Sequence, residues 1–291
     1  MVEAIVVGTV AEAEAAQPSA IGYGAVHADA VAASAVLRAV PSVVWTQQLT
    51  ADLFTRAASP GGDVIGAVLA WPSFATAPRA WEALLAFRSV LEPSRPAPTA
   101  TELLSFGSSV LDWRVSSSSE LDDIVNQVTR FAEAAAGRQA EKIAETTYEL
   151  LMNALYDAPM TPDGQYRFAH DRSALVQLPP EEAVTCRVVC DGSMLLVEVV
   201  DPFGSLRRSV VYRSIARGIA AARVADAASA LDTSHGGAGL GLHRVFSASA
   251  ATIFNVAKRK ETRVCACFDL TLAARDLRGM PRSLHFSSKD P

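Results

Sequence analysis

The sequence SHGGAGLGLHRVF, residues 234–246, is the most informative stretch of the chain. It holds four glycines and leads directly into a segment whose apolar residues have helical spacing. Glycine lets a backbone approach a phosphate closely and present its N–H groups, and the N-terminus of the following helix adds a favourable dipole. The stretch lacks the GK[ST] ending of a P-loop, and it lies too late in the chain for a dinucleotide-binding fingerprint. The alternative to a phosphate-binding loop is that this stretch is only a tight loop between two packed helices.

A second pattern is YELLMNALYDAP, residues 148–159, which predicts a helix. Glu149, Asn153 and Asp157 follow one another at four-residue spacing and therefore share one helix face. Taken alone, this face is most simply the polar stripe of an amphipathic surface helix, although asparagine is mildly unfavourable inside a helix. The apolar residues at the opposite positions are Leu150, Leu151 and Leu155.

A third pattern is VVDPFGSL, residues 199–206. It predicts a strongly apolar strand that ends at Asp201 and is followed by a turn. The carboxylate is either part of an ordinary turn or held rigidly at a strand end facing a pocket.

The order of these patterns is more specific than any one of them. A helix with E-x-x-x-N, a strand with D-x-x-G, a G-x-G-L-G-L stretch before a helix, and a hairpin follow one another between Leu104 and Ala274. This order resembles the GHKL ATP-binding fold shared by gyrase, MutL and histidine kinases, and it is most similar to the anti-sigma-factor serine kinases. The resemblance implies a two-layer α/β sandwich with a mixed sheet over residues 104–275.

The resemblance also implies a role for each matching residue, with ATP and Mg²⁺ as the ligands. Glu149 corresponds to the general base that activates a substrate serine or a water, and Asn153 to the Mg²⁺ ligand beside the phosphates. Asp201 corresponds to the acceptor of the adenine amino group, and residues 211–235 to a mobile lid. The other expected nucleotide contacts are Asp157, Gly204, Gly237, Gly239, Leu240, Gly241 and Thr262.

The chain departs from the family pattern on the adenine side. The first glycine box usually reads D-x-G-x-G, but here Phe203 replaces the first glycine and the remaining one is shifted to Gly204. Glu261 stands where a glycine usually precedes the late threonine. No arginine is clearly placed to contact the γ-phosphate, although Arg213, Arg217 and Arg244 are available.

Residues 1–92 alternate short apolar strands with alanine-rich helices, which predicts a parallel α/β domain. The domain loosely resembles a receiver domain of response regulators without the acidic residues that accept phosphate. The proline-rich sequence that starts at residue 92 predicts a linker over 93–103, and residues 276–291 a loosely held polar tail. The expected strands are 3–10, 42–47 and 63–71, and the expected helices 27–40, 49–59 and 77–91.

Composition limits the functional classes. The net charge of −5, without basic clusters, argues against nucleic-acid binding, and the apolar runs are too short to span a bilayer. With no signal-peptide pattern, a cytoplasmic protein is expected. The four cysteines fall in strand-like segments, where small buried residues are favoured over a metal site.

Two functional hypotheses follow, and a third is weaker. The first is a serine/threonine protein kinase of the anti-sigma-factor type that acts on a protein partner, with a homodimer expected from the resemblance alone. The second is a nucleotide-dependent binding module, or pseudokinase, which switches partners without phosphoryl transfer. ATP-driven remodelling of DNA or protein is disfavoured, because too little chain follows the candidate ATP fold for a transducer domain.

Overall fold

The computed structural model describes residues 4–7, 24–27, 42–59, 65–72, 79–92, 95, 97–104, 107–161, 163–227, 240–273 and 275–289. The chain is a mixed α/β protein with two compact units, each discontinuous in sequence. The first unit consists of the described parts of 1–95, 207–244 and 281–287. The second consists of the described parts of 96–206, 245–280 and 288–291.

The strands are β1 (Ala4–Val7), β2 (Gly24–His27), β3 (Ser42–Thr46), β4 (Ile65–Ala70), β5 (Ser109–Val115), β6 (Val184–Cys190), β7 (Met194–Asp201), β8 (Ala251–Ala257), β9 (Glu261–Asp269) and β10 (Arg282–Lys289). The helices are α1 (Ala51–Ala57), α2 (Ala80–Leu91), α3 (Ala100–Leu103), α4 (Leu121–Ala136), α5 (Ala140–Met152), α6 (Arg208–Ala227) and α7 (Gly241–Ala248).

The first unit contains a parallel sheet, as its sequence predicted. β1 pairs in parallel with β2 and β3, and β3 pairs in parallel with β4. The order β2-β1-β3-β4 is that of flavodoxin-like doubly wound sheets. β2 was not predicted, because its four residues are too few to show a period. The helix expected over 27–40 overlaps the last residue of β2, His27, and otherwise lies outside the described residues.

The last strand of the first unit comes from the C-terminal end of the chain. Arg282–Lys289 forms β10, which pairs antiparallel with β4, so the expectation of a loose tail is wrong for these residues. Leu284 and Phe286 are buried on this strand. The sequence hid the strand because serine and histidine occupy buried positions that usually hold apolar residues.

Helix α6 is part of the core of the first unit. Its Tyr212 is fully buried, lies 6.0 Å from the ring of Phe54 on α1, and donates a hydrogen bond of 2.9 Å to the Ile65 carbonyl. A buried aromatic ring with a satisfied hydroxyl fixes a helix firmly. The described part of the segment expected to be a lid therefore begins as a packed helix.

The second unit has an antiparallel sheet of order β8-β9-β7-β6-β5. The sequence predicts one hairpin that turns at Asp191-Gly192 and a second that turns at KRKE, residues 258–261. Both are present: β6 and β7 turn at Asp191-Gly192, and β8 and β9 turn at 258–260. Gly192 has a φ of +87°, which is the left-handed conformation that such a turn requires. Helices α4 and α5 pack against each other, and α5 also contacts β7 and β9.

The first long helix of the second unit begins and ends as its sequence predicts. Ser117 and Glu120 form a reciprocal capping box before α4. Gly137 ends α4 with a φ of +50°. Ile124 and Val128, one turn apart, are buried against the core.

Candidate functional site

The polar helix of the sequence analysis ends in an irregular turn. α5 stops at Met152, and Asn153–Asp157 forms a π-helical turn in which the Ala158 N–H donates 2.9 Å to the Asn153 carbonyl. Turns of this kind often occur at functional sites because they re-aim side chains. The turn contacts β7. As predicted, the opposite face is buried, at Leu150, Leu151 and Leu155.

The acidic residues of this helix end face a common region. Asp157 forms an ion pair with Arg172, which lies in the connection between the π turn and β6. Burial raises the pKa of Asp157 above its ordinary value, and the Arg172 guanidinium offsets only part of this rise. The charge of Glu149 adds a smaller upward contribution. The Glu149 carboxylate is thus close enough to Asp157 to affect the ionisation of Asp157.

Asp201 is the last residue of β7, and Thr262 on β9 is its direct partner across the ladder. Asp201 is 6% exposed, and burial raises the pKa of its carboxyl to about 7. Hydrogen bonds from the Phe203 and Gly204 N–H groups, the former of 2.9 Å, oppose this rise, as does the nearby Thr262 hydroxyl. These bonds hold the carboxyl at the strand end, and its expected contact with adenine remains a prediction.

Two of the candidate site residues carry a buried polar atom that makes no hydrogen bond of normal geometry within the described residues. Within the described residues, no hydrogen bond of normal geometry reaches Thr262 Oγ1 or Asn153 Nδ2. A buried polar group without a partner costs about 1–3 kcal/mol. Both atoms belong to residues that the resemblance assigns to nucleotide binding, and such atoms are suited to a polar ligand or to water.

Gly204 has a packing role that the sequence did not reveal. Its φ is +59°, and a Cβ at this position would lie 2.1 Å from the Ala257 carbonyl oxygen and 2.7 Å from the Arg259 nitrogen. The glycine therefore lets the turn after β7 press against the turn between β8 and β9. Its expected contact with nucleotide remains a prediction.

The glycine stretch is described in part. Gly237 and Gly239 lie outside the described residues. Leu240 is half-buried, Gly241 begins α7, and the Leu240 carbonyl accepts a hydrogen bond of 3.0 Å from the Arg244 N–H. Leu240 and Gly241 belong to the first compact unit, whereas the other described candidates belong to the second.

A buried carboxylate lies on the opposite face of the sheet, and no sequence motif pointed to it. Glu198 on β7 is 2% exposed and accepts a hydrogen bond of 2.9 Å from the Ala100 N–H at the start of α3. Guanidinium nitrogens of Arg187 and Arg263 lie 3.9 Å from its carboxylate. The predicted linker thus contains a short helix docked on the sheet. Polar residues alternating within apolar strands were the available signal.

The candidate metal ligands are of two kinds, cysteine sulfurs and side-chain oxygens. All four cysteines are buried, and the sulfurs of Cys265 and Cys267 lie 4.0 Å apart. Within the described ranges, no group of three His, Cys, Asp or Glu side chains is arranged to hold a metal. An asparagine oxygen together with phosphates is nonetheless a set that suits Mg²⁺, which usually keeps several waters. Asn153 therefore fits the ion that the resemblance implies.

No described helix is both long and apolar enough to cross a bilayer.

No protein-family model matches the chain. No curated protein matches it either. Among solved structures, the chain is similar to one in the crystal structure of the SiaB–SiaC complex from Pseudomonas aeruginosa. The identity is 17% and the TM-score 0.31, over 65% of this chain and 98% of the other.

Proposed function

We propose that the C-terminal part of this chain, residues 104–275, is a GHKL-type domain that binds ATP with Mg²⁺ and phosphorylates serine or threonine on a protein partner. The observation that carries the proposal is the pair formed by Asp201 and Thr262. A buried carboxyl at a strand end lies opposite a buried hydroxyl that makes no hydrogen bond of normal geometry within the described residues. A fixed acceptor selects adenine, because guanine would leave it unpaired.

The end of α5 supplies groups suited to phosphoryl transfer. Bound Mg²⁺ would neutralise charge on the phosphates, and Asn153 is its proposed protein ligand. Glu149 is proposed to accept the proton of the substrate hydroxyl as that oxygen bonds to the γ-phosphorus and ADP departs. Glu149 is half-buried near Asp157, so its carboxylate is accessible and held on a regular helix.

A second candidate function is a nucleotide-dependent module without phosphoryl transfer. The observation in its favour is that one oxygen of Asp201 already accepts the Phe203 N–H, while Gly204 is committed to packing against Ala257. The first glycine box therefore serves the architecture of the turn. A pocket altered in this way could still bind nucleotide while having lost turnover.

Calorimetry of Mg·ATP binding tests the proposal. We expect the wild type to bind, and Asp201→Asn and Gly239→Trp to lose binding by more than tenfold. Asp191→Asn is the matched control, because Asp191 also caps a turn beside β7, through Oδ1 at 2.9 Å from the Ser193 and Met194 N–H groups. Absence of binding to the wild type at millimolar ATP would refute the proposed function.

The two candidate functions separate at Glu149. If the chain is a kinase, Glu149→Gln abolishes ADP formation and transfer of labelled phosphate while ATP still binds. If the chain is a nucleotide-dependent module, the wild type itself forms no ADP, and Glu149→Gln leaves its nucleotide-dependent assembly unchanged.

A further inference from the structure

The connection between α5 and β6 carries an arginine held close to the candidate site. Tyr156, within the π turn, donates a hydrogen bond of 2.8 Å from its hydroxyl to the Ala174 carbonyl. The Arg167 N–H donates 3.0 Å to the Pro159 carbonyl. Arg172 lies between these two anchors, so its backbone position is tied to the end of α5.

Further bonds fix the backbone around this arginine. Asp171 Oδ1 accepts from the Ser173 N–H at 3.0 Å and from its hydroxyl at 2.6 Å, which forms an Asx turn around Arg172. The Val176 N–H donates 3.0 Å to Ser118 Oγ, and the Ser118 N–H donates 3.1 Å to the Val176 carbonyl. The segment is thus bonded on both sides of the arginine.

The end of α5 is negatively charged, so a positively charged side chain there would favour binding of an anionic ligand. Glu149 and Asp157 are acidic, and a nucleoside triphosphate is a polyanion, so the helix end would repel it without positive charge. A guanidinium has five N–H donors, and Arg172 is engaged with Asp157 while its side chain stays 36% exposed. Donors therefore remain for a ligand beside Asp157.

We propose that Arg172 contacts the bound nucleotide, and thereby supplies positive charge at the end of α5, where the charged residues of the helix motif itself are acidic. The inference rests on the proposed function. Arg172 lies in a connection that carries no sequence motif. In this proposal, its ion pair with Asp157 holds the guanidinium in position at the site. Charge-assisted bonds from arginine to phosphate are among the stronger ones in proteins.

A matched control lies five residues away on the same connection. Arg167 forms an ion pair of 2.6 Å with Glu182, and its side chain is 22% exposed. It also stacks on the Phe168 ring. Arg167→Gln removes the same charge and a comparable ion pair, without removing a charge next to Asp157.

The test is calorimetry with ATP, ADP and adenosine on the wild type, Arg172→Gln and Arg167→Gln, after thermal unfolding shows that both variants are folded. We expect Arg172→Gln to weaken ATP binding more than tenfold and Arg167→Gln to change it less than threefold. A loss confined to ATP and ADP assigns the contact to phosphate, and a loss shared by adenosine assigns it to base or ribose. Either outcome supports the proposal.

Two results would overturn the proposal, and they differ in meaning. If the wild type binds ATP and Arg172→Gln binds it equally well, Arg172 is a structural partner of Asp157 and the proposed function stands. Equal weakening by both variants also assigns Arg172 a structural role. If the wild type binds no nucleotide, both the inference and the proposed function fail.

Discussion

Asp201 and Thr262 stand directly opposite each other on β7 and β9, both buried, and the threonine hydroxyl has no hydrogen-bond partner of normal geometry among the described residues. A carboxyl in this position is costly to ionise, since burial disfavours its charged form. The adjacent turn offsets part of this cost through the Phe203 N–H. The pair is therefore a source of pH dependence as well as a candidate ligand contact.

The first prediction concerns the stability contributed by Asp201. Its pKa of about 7 in the folded state lies above the ordinary aspartate value of 3.8, so the folded state binds the proton more tightly. The contribution to stability is full below about pH 4 and is lost as the pH rises to about 7, with a loss on the order of 4 kcal/mol. We expect denaturant unfolding of Asp201→Asn to lack this decline. Parallel pH profiles for the variant and the wild type would contradict the assignment.

The second prediction is that Gly204→Ala destabilises the second unit by about 3 kcal/mol or more. The new Cβ would lie 2.1 Å from the Ala257 oxygen in a left-handed backbone, so strand-end packing has to rearrange. Gly192→Ala is the control, because its φ is +87° but nothing lies within 4 Å of its Cβ position. It should cost about 1 kcal/mol from the backbone alone. Equal losses in urea unfolding would show that the turn contact is unimportant.

The third prediction is that Gly218→Ala in α6 changes from destabilising to stabilising when His243 is also replaced. A Cβ there would lie 2.0 Å from Cγ of His243 on α7, so Gly218→Ala should destabilise the protein. When His243 is also replaced by alanine, the clash is gone and the better helix propensity of alanine should stabilise by about 1 kcal/mol. A double-mutant cycle by thermal unfolding measures this. The same sign in both backgrounds would contradict the contact.

Much of the second unit could be predicted because its signals are local. The capping box at Ser117, the stop at Gly137 and the turn at Asp191-Gly192 depend on neighbouring residues, and each is present as expected. The resemblance assigned both Asp201 and Thr262 to the adenine contact, but their pairing across β7 and β9 is a finding of the structure.

The unpredicted features depend on residues far apart in sequence. The pairing of β10 with β4, the docking of Ala100 on Glu198 and the approach of Arg172 to Asp157 leave no periodic trace. β2 was too short to recognise, and the π turn at Asn153 breaks a spacing that the sequence presents as regular.

The last prediction concerns acid sensitivity through His285 on β10. The ring is 4% exposed, and burial lowers its pKa to about 3 from 6.5. Its Nε2 lies 3.0 Å from Ser283 Oγ, and that hydroxyl in turn interacts with the fully buried carboxyl of Glu82, whose pKa burial raises. The folded state thus holds the imidazole neutral.

Because the folded pKa of His285 is depressed, its contribution to stability is full above about pH 6.5. It is lost as the pH falls toward 3, by a total on the order of 5 kcal/mol. We expect His285→Gln, which keeps an amide beside Ser283, to flatten the stability profile between pH 6.5 and 4 in urea unfolding. His243→Gln is the control, since that imidazole is only partly buried and its pKa is lowered less. An unchanged acid profile in His285→Gln, or an equal flattening in the control, would show that β10 does not carry the acid-sensitive group.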